Sequence, residues 1–571
     1  MFSNFISISF LFFSNSIFIS IFLSCLFYLK PKSLKMDEEI KGESKGRNRF
    51  FPSVKWNFYF KFKMDDVILD MRLKTFRYGT EGGPLGFSEM KKAELVFVPT
   101  PGAGHYISAV EFAKRLIHTD DRFSVTLLHM RSSLHPHTDP YNTSLLASET
   151  HLRIIDLPPV DPPPSHLIHK SVEHYILLYF ESFIPHVKDA ITHLMSNPDS
   201  VPLAGLVLDF FCLPMIDVAK ELGLPSYLYL TSGAGFLGLM LYLPTHHSQI
   251  GTEFEDSDPD LELRSFVNPV PVRVLPEAVS NKHGGYAAYI KVAQRFREAR
   301  GIIVNTFSEL EPYAVESFAD GQTPPVYTVG PVLDLGGQAH SCSDRVDHGK
   351  IMGWLDAQPE SSVAFLCFGS MGTFDAPQVR EIALGLERSG HRFLWALRLL
   401  RLDGKLGGSS DGTELSDILP EGFLDRIGER GMICEWAPQM EALSHKSIGG
   451  FLSHCGWNSI LESIWNSVPV ATWPMYAEQQ LNAFGLVKEL GLAVEMRLDY
   501  RQIGGEVVMA EEIDGAIRCV MEHDSMVRKK VKEMGEMSRR AVMDGGSSSK
   551  SLGRLIADIM NHPQFPTNTN Y

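Results

Sequence analysis

The stretch Trp436–Gln479 gathers aromatic, imidazole, amide, hydroxyl and carboxylate side chains closely: Trp436, Gln439, His454, Trp457, Asn458, Ser459, Glu462, Tyr476, Glu478 and Gln479. Cys455-Gly456-Trp457-Asn458-Ser459 reads as the opening of a helix, where unpaired backbone N–H groups and the helix dipole attract anions. A diphosphate fits such a site. Asn458 and Glu462 are four residues apart and share one helix face, which sets an amide near the phosphate. A carboxylate then lies one turn deeper, able to accept hydrogen bonds from ribose hydroxyls. A second set of reactive side chains lies far upstream. His105 ends the turn Pro99-Thr100-Pro101-Gly102-Ala103-Gly104-His105, and an imidazole is the side chain that exchanges a proton near neutral pH. Asp209 follows the apolar run Gly205–Leu208, and Thr231 follows Ser226–Leu230.

These residues need elements to position them. Met432–Glu435, Ile448–Leu452 and Val470–Thr472 are short apolar or β-branched runs bounded by Pro, Gly, His or Asn, the pattern of buried strands. Val363–Phe368 is a fourth, with Ser370 at its exit. Trp436, His454 and Tyr476–Gln479 follow their strands directly, and open parallel sheets bind ligands beyond their strand ends. Upstream, Leu95–Val98, Phe123–Leu128, Gly205–Leu208, Ser226–Leu230 and Gly301–Val304 alternate with helical segments as in a doubly wound α/β sheet. His105 then sits on the loop after the first strand, ahead of a helix from Ile107. Gly102-x-Gly104 is not a dinucleotide fingerprint, because Ile107 takes the third glycine position and His129, not an acid, ends the second strand.

The chain has 571 residues, enough for two or more cores, with 44% hydrophobic and 21% charged residues. A net charge of −15 argues against nucleic-acid binding, which needs a basic face. The seven cysteines are scattered and odd in number, so neither a disulfide framework nor a zinc site is implied. Residues 2–29 are uncharged and rich in Phe, Ile, Leu and Ser, long enough to span a bilayer if inserted. Residues 36–89 show no sustained period. The expectation is a dispensable extension over 1–89, a first domain over 90–334, a linker over 335–350 and a second domain with the C-terminal helices over 351–571. Asp258-Pro259-Asp260 lies in an acidic loop with no strand leading in, so it is expected to be solvated rather than to hold a metal.

The Trp436–Gln479 segment resembles, almost position for position, the signature box of plant family 1 glycosyltransferases that use UDP-sugars. Pro-x-x-Gly-His after the first strand fits the same family. The resemblance implies the GT-B architecture, two Rossmann-like doubly wound α/β domains facing a cleft. It implies that Trp436 stacks on uracil, that the Ala437 backbone and Gln439 hold uracil and ribose, and that Glu462 takes ribose hydroxyls. His454, Asn458, Ser459 and Ser370 would face the diphosphate, with Gly456 and Tyr476 also in the donor site. Trp457, Glu478 and Gln479 would line the sugar, and a final Gln goes with glucose. Asp209 would pair with a catalytic His105, and Thr231 would reach the donor sugar. Ser467 stands where the family usually has Gly, so a positive φ there would be strained. The implied activity is inverting transfer of glucose from UDP-glucose to a hydroxyl of a small lipophilic plant metabolite, without metal or further cofactor, by a cytoplasmic monomer. The alternative is a catalytically silent nucleotide-sugar binding protein.

Overall fold

The computed structural model describes residues 59–64, 67–72, 92–131, 149–198, 200–336, 345–399, 415–502 and 504–561. Residues 2–29 and the linker residues 337–344 lie outside them. The chain divides into two compact units, Met1–Glu89 and Met90–Tyr571. In the first, β1 (Tyr59–Met64) pairs antiparallel with β2 (Val67–Arg72). Phe60 and Phe62 alternate with Lys61 and Lys63, a short period-2 run within a segment that has no sustained period.

The second unit holds two parallel sheets. The first comprises β3 (Ala93–Val98), β4 (Phe123–His129), β5 (Leu152–Asp156), β6 (Leu203–Asp209), β7 (Ser226–Leu230), β8 (Gly301–Val304) and β9 (Val326–Thr328), in the order β5-β4-β3-β6-β7-β8-β9. The other comprises β10 (Val363–Cys367), β11 (Arg392–Ala396), β12 (Gly431–Cys434), β13 (Ile448–Ser453), β14 (Val470–Thr472) and β15 (Ala493–Val494), in the order β12-β11-β10-β13-β14-β15. The direction in which strands are added reverses once in each sheet, between β3 and β6 and between β10 and β13. Such switch points open a crevice at the strands' carboxyl ends. The expected doubly wound pair of domains is therefore present.

Among the helices that position functional side chains or join the two domains are α1 (Ala103–Thr119), α2 (Ala234–Gln249), α3 (Trp457–Trp465) and α4 (Ser547–Met560). The central strands β3, β7, β10 and β13 are buried along their whole length, as strands covered by helices on both faces are. One helix departs from the expected partition. Leu552, Leu555, Ile556 and Ile559 of α4 pack into the core of the first sheet with Leu95 and Phe97. Asp558 accepts bonds from Arg300 Nε at 2.9 Å, Arg300 Nη2 at 2.7 Å and Tyr227 Oη at 2.8 Å. The last helix thus belongs with the first domain, not with the second as its sequence position suggested. Among the described residues, no helix is long and apolar enough to cross a membrane.

Candidate active site

His105 lies in the first turn of α1, where the chain leaves β3, and Asp209 is the last residue of β6, the strand paired with β3. Strand adjacency brings them together. His105 Nδ1 stands 3.0 Å from Asp209 Oδ2 and 3.1 Å from the hydroxyl of Thr231, just past β7. Asp209 is 1% exposed while His105 keeps 34%, so the carboxylate is sealed in and the ring is open to a substrate. A carboxylate on Nδ1 holds the proton there and leaves the Nε2 lone pair free to accept another. Thr100, unremarked in the sequence reading, donates its hydroxyl to Asp209 Oδ1 and fixes the carboxylate. Burial by itself lowers the His105 pKa, but the charge and hydrogen bond of Asp209, with the charge of Glu478, outweigh it and raise the value above 6.5. Phe211 stands beside this ring, centroids 6.4 Å apart, and is held edge-on by Phe210 at 4.7 Å.

The donor half is built around α3. Gly456 is its N-cap with no side-chain cap, so the first-turn N–H groups point into the cleft end of β13. His454 sits beneath two glycines: a Cβ at Gly369 would stand 2.4 Å from its Nε2, and one at Gly456 2.6 Å away. Gly369 also has φ +74°, so glycine serves there twice over. Burial pushes the His454 pKa down to about 4; a bond at the Cys367 backbone opposes this and the Arg398 charge adds to it. This imidazole is therefore neutral near pH 7, and what it offers an anion is an N–H dipole rather than a positive charge. Ser370 is exposed in the turn that follows Gly369, whose carbonyl accepts from Arg398 Nη1 at 3.0 Å. Arg398 is a cation at this edge that the sequence reading missed.

Gln439 Nε2 lies 2.7 Å from both Ser459 Oγ and Glu462 Oε2, tying together three of the residues expected around ribose and phosphate. Burial lifts the Glu462 carboxyl to about 7, against the Gln439 bond that lowers it and with Asp334 adding to the rise. Ala437 is buried and Trp436 half-buried at the exit of β12. Glu478 and Tyr476 are half-buried beyond β14, with the Tyr476 and His454 rings 6.4 Å apart. Gln479 is buried, and its Oε1 accepts from Met475 N at 3.0 Å and Tyr476 N at 3.1 Å. Its carbonyl is thus committed to the turn, and its amide hydrogens are the part suited to a sugar oxygen.

Three of the expected residues also make contacts that the sequence reading did not foresee. Trp457 turns its indole toward the first domain and donates to Asn305 O at 2.6 Å. Asn458 donates across the cleft to Gly104 O at 2.7 Å. Thr231 is engaged with His105. Glu311, also missed, accepts from the backbone N–H groups of Ala234 and Gly235 at 2.8 Å each and so caps α2 beside Thr231. Asp258 accepts from Glu255 N at 2.9 Å, folding the acidic loop on itself. Among the described residues, no group of three His, Cys, Asp or Glu side chains is arranged to hold a metal ion.

Comparison with known proteins gives one answer. Residues 320–532 match the family model "UDP-glucoronosyl and UDP-glucosyl transferase". UDP-glycosyltransferase 71K1 of Malus domestica is 56% identical over 479 residues, covering 82% of this chain and 99% of the relative. The flavonol 3-O-glucosyltransferase UGT71C4 of Arabidopsis thaliana is 49% identical over 480 residues, covering 82% and 98%. Among solved structures, Medicago truncatula UGT71G1 complexed with UDP-glucose is 52% identical with a TM-score of 0.77, covering 82% of this chain and 99% of that one. Identity at this level over a relative's whole length, joined to two facing Rossmann-like domains, makes this chain a member of the plant UDP-glycosyltransferases.

Proposed function

We propose that this glycosyltransferase moves glucose from UDP-glucose to the hydroxyl of a small, flat, largely apolar acceptor such as a phenol or flavonoid, with inversion at the anomeric carbon. His105 Nε2 takes the acceptor's hydroxyl proton. The acceptor oxygen forms its bond to the anomeric carbon on the face opposite UDP, and the bond from that carbon to the β-phosphate oxygen breaks with its electron pair. An α-linked donor gives a β-glucoside. Asp209 keeps the proton on Nδ1 and stabilises the imidazolium that forms. The first-turn N–H groups of α3 and the neutral His454 receive the charge that develops on UDP. The observation that carries this reading is the His105–Asp209 pair at 3.0 Å, its imidazole open toward the donor half. An aromatic wall at Phe211, backed by Phe210, favours a planar acceptor. A relative named as a flavonol 3-O-glucosyltransferase, and a solved neighbour complexed with pterostilbene at 35% identity, support that class.

The deciding experiment is a UDP-release screen of phenolic, flavonoid, terpenoid and hormone acceptors with UDP-glucose. Release with phenolic acceptors supports the reading. Tight UDP binding with no release from any acceptor would favour the silent binding protein. Turnover is expected to be indifferent to EDTA; loss on chelation that Mg²⁺ or Mn²⁺ restores would overturn the metal-free route. The free cysteines among the described residues and the acidic net charge support a cytoplasmic, monomeric protein.

A further inference from the structure

We propose that Phe266 is a positioning residue for glucosyl transfer, a spacer between the two halves of the site that sets how far the acceptor stands from the donor sugar. The inference rests on His105 and Gln479 flanking the reacting groups. Phe266 is 7% exposed, although it lies on a connection of the first domain and not in a strand or helix. Its ring is held from both sides. Toward the first domain it lies against the start of α2: a Cβ at Gly235 would stand 2.7 Å from Phe266 Cζ, so the missing side chain there is what lets the ring approach. The neighbouring Ser265 Oγ donates to Gly235 O at 3.3 Å. On its other side Phe266 meets Phe484, with ring centroids 6.0 Å apart, and Phe484 is itself buried in the first domain's core together with Leu481.

What each side carries gives the spacer its meaning. Helix α2 starts just after Thr231, whose hydroxyl is 3.1 Å from His105 Nδ1, and its Phe236 stands 5.6 Å from Phe210, behind the aromatic wall at Phe211. The helix that ends at Phe484 begins at Gln479, the residue whose amide hydrogens suit a sugar oxygen. Packed side chains therefore run without a break from the partner of the base to the sugar-binding end. The same connection is clamped on its outer side, where Glu489 accepts from Val267 N at 2.9 Å, Asn268 N at 3.1 Å and Asn268 Nδ2 at 2.8 Å. Separation matters because phenol and water differ in what they require. A phenol oxygen must be held in line with the anomeric carbon, and a displacement of about 1 Å costs on the order of 10²-fold in rate. Water fills whatever gap is left: its oxygen bonds to the anomeric carbon, the bond to the β-phosphate oxygen breaks with its electron pair, and its proton passes to His105, giving free glucose and UDP. A well-closed site excludes that side reaction. Shortening the spacer thus changes the partition between glucoside and free glucose and not the grip on UDP, since Trp436, Gln439, His454 and Glu462 all stand in the second domain.

The test is Phe266→Leu, which keeps an apolar side chain and shortens it, with Glu489→Gln as a second variant that loosens the outer clamp without opening a cavity in the core. Each is measured for UDP affinity by calorimetry, and for the glucoside and free glucose formed from UDP-glucose with one phenolic acceptor. The spacer predicts glucoside formation lower by on the order of 10-fold in Phe266→Leu and by about threefold in Glu489→Gln, with free glucose per glucoside higher by about threefold or more in both and a UDP Kd within about twofold of wild type. A wild-type ratio of free glucose to glucoside in either folded variant would overturn the proposal and leave Phe266 an ordinary core residue. A UDP Kd raised by about tenfold or more would overturn it as well, by placing the effect on nucleotide binding. His105→Ala run alongside keeps the two readings apart: its activity judges the base, whereas the partition ratio judges the spacer whichever group takes the proton.

Discussion

At the scale of single residues the chemistry turns on which proton is held where. His105→Ala removes the proton acceptor without touching the nucleotide site, so kcat should fall on the order of 10²- to 10⁴-fold while UDP-glucose affinity, read by calorimetry, stays near wild type. Because the His105 pKa is raised by Asp209 and Glu478, the neutral base is present above that value and is lost as pH falls through it. The acid limb of kcat/KM should therefore lie above 6.5, and Asp209→Asn should move it down as well as lower the rate. A limb that stays in place in Asp209→Asn would break the assignment. Gln479 separates two roles by its two ends: Gln479→Glu keeps the oxygen that accepts from Met475 and Tyr476 and loses the amide hydrogens. Burying a carboxylate there should lower the melting temperature, and in the folded variant the KM for UDP-glucose should be higher by roughly tenfold, the equivalent of one lost hydrogen bond. An unchanged KM would remove Gln479 from the sugar site. Much at this scale was legible in the sequence, since His105, Asp209 and the residues around α3 are found at strand exits, where local patterns can set them. The cross-domain bonds of Trp457 and Asn458 were not. Both depend on how one domain faces the other, and no periodicity within either domain encodes that.

At the scale of elements, the strands that were legible are the ones bounded by turn residues. Strand β5, Leu-Arg-Ile-Ile-Asp, is half exposed along its length and lacks a clean alternation, while β15 is only two residues long. Missing β11 also hid its exit residue Arg398. At Ser467 the sequence reading made strain conditional on a positive φ, and the backbone meets that condition with φ +59°. A left-handed residue with a Cβ costs on the order of 1 kcal/mol, partly offset because glycine loses more freedom on folding. Ser467→Gly should raise the melting temperature by on the order of 1 °C, as scanning calorimetry would detect; a clear drop would mean that the Ser467 hydroxyl contributes more than the backbone costs.

At the scale of the whole molecule, the site draws on both sheets of the second unit. Every residue named in the site lies in the unit Met90–Tyr571, and UDP-glycosyltransferase 71K1 aligns over 99% of its own length to 82% of this chain. A chain starting at Met90 should be folded and as active as the full-length protein, judged by melting and initial rates side by side. Marked loss of stability would make residues 1–89 structural. The division into domains by sequence position fails at the last helix, because α4 returns to the first sheet. Its apolar face, Leu552, Leu555, Ile556 and Ile559, follows a helical period, but periodicity says only that a helix buries one face and is silent on which sheet receives it.

That return has a mechanical meaning. The donor-binding half is fastened to the acceptor-binding half where the chain enters it and again where α4 goes home, with Asp558 riveted to Arg300 and Tyr227. Any relative movement of the two halves must therefore bend the chain ahead of α4 as well as the segment between the two sheets.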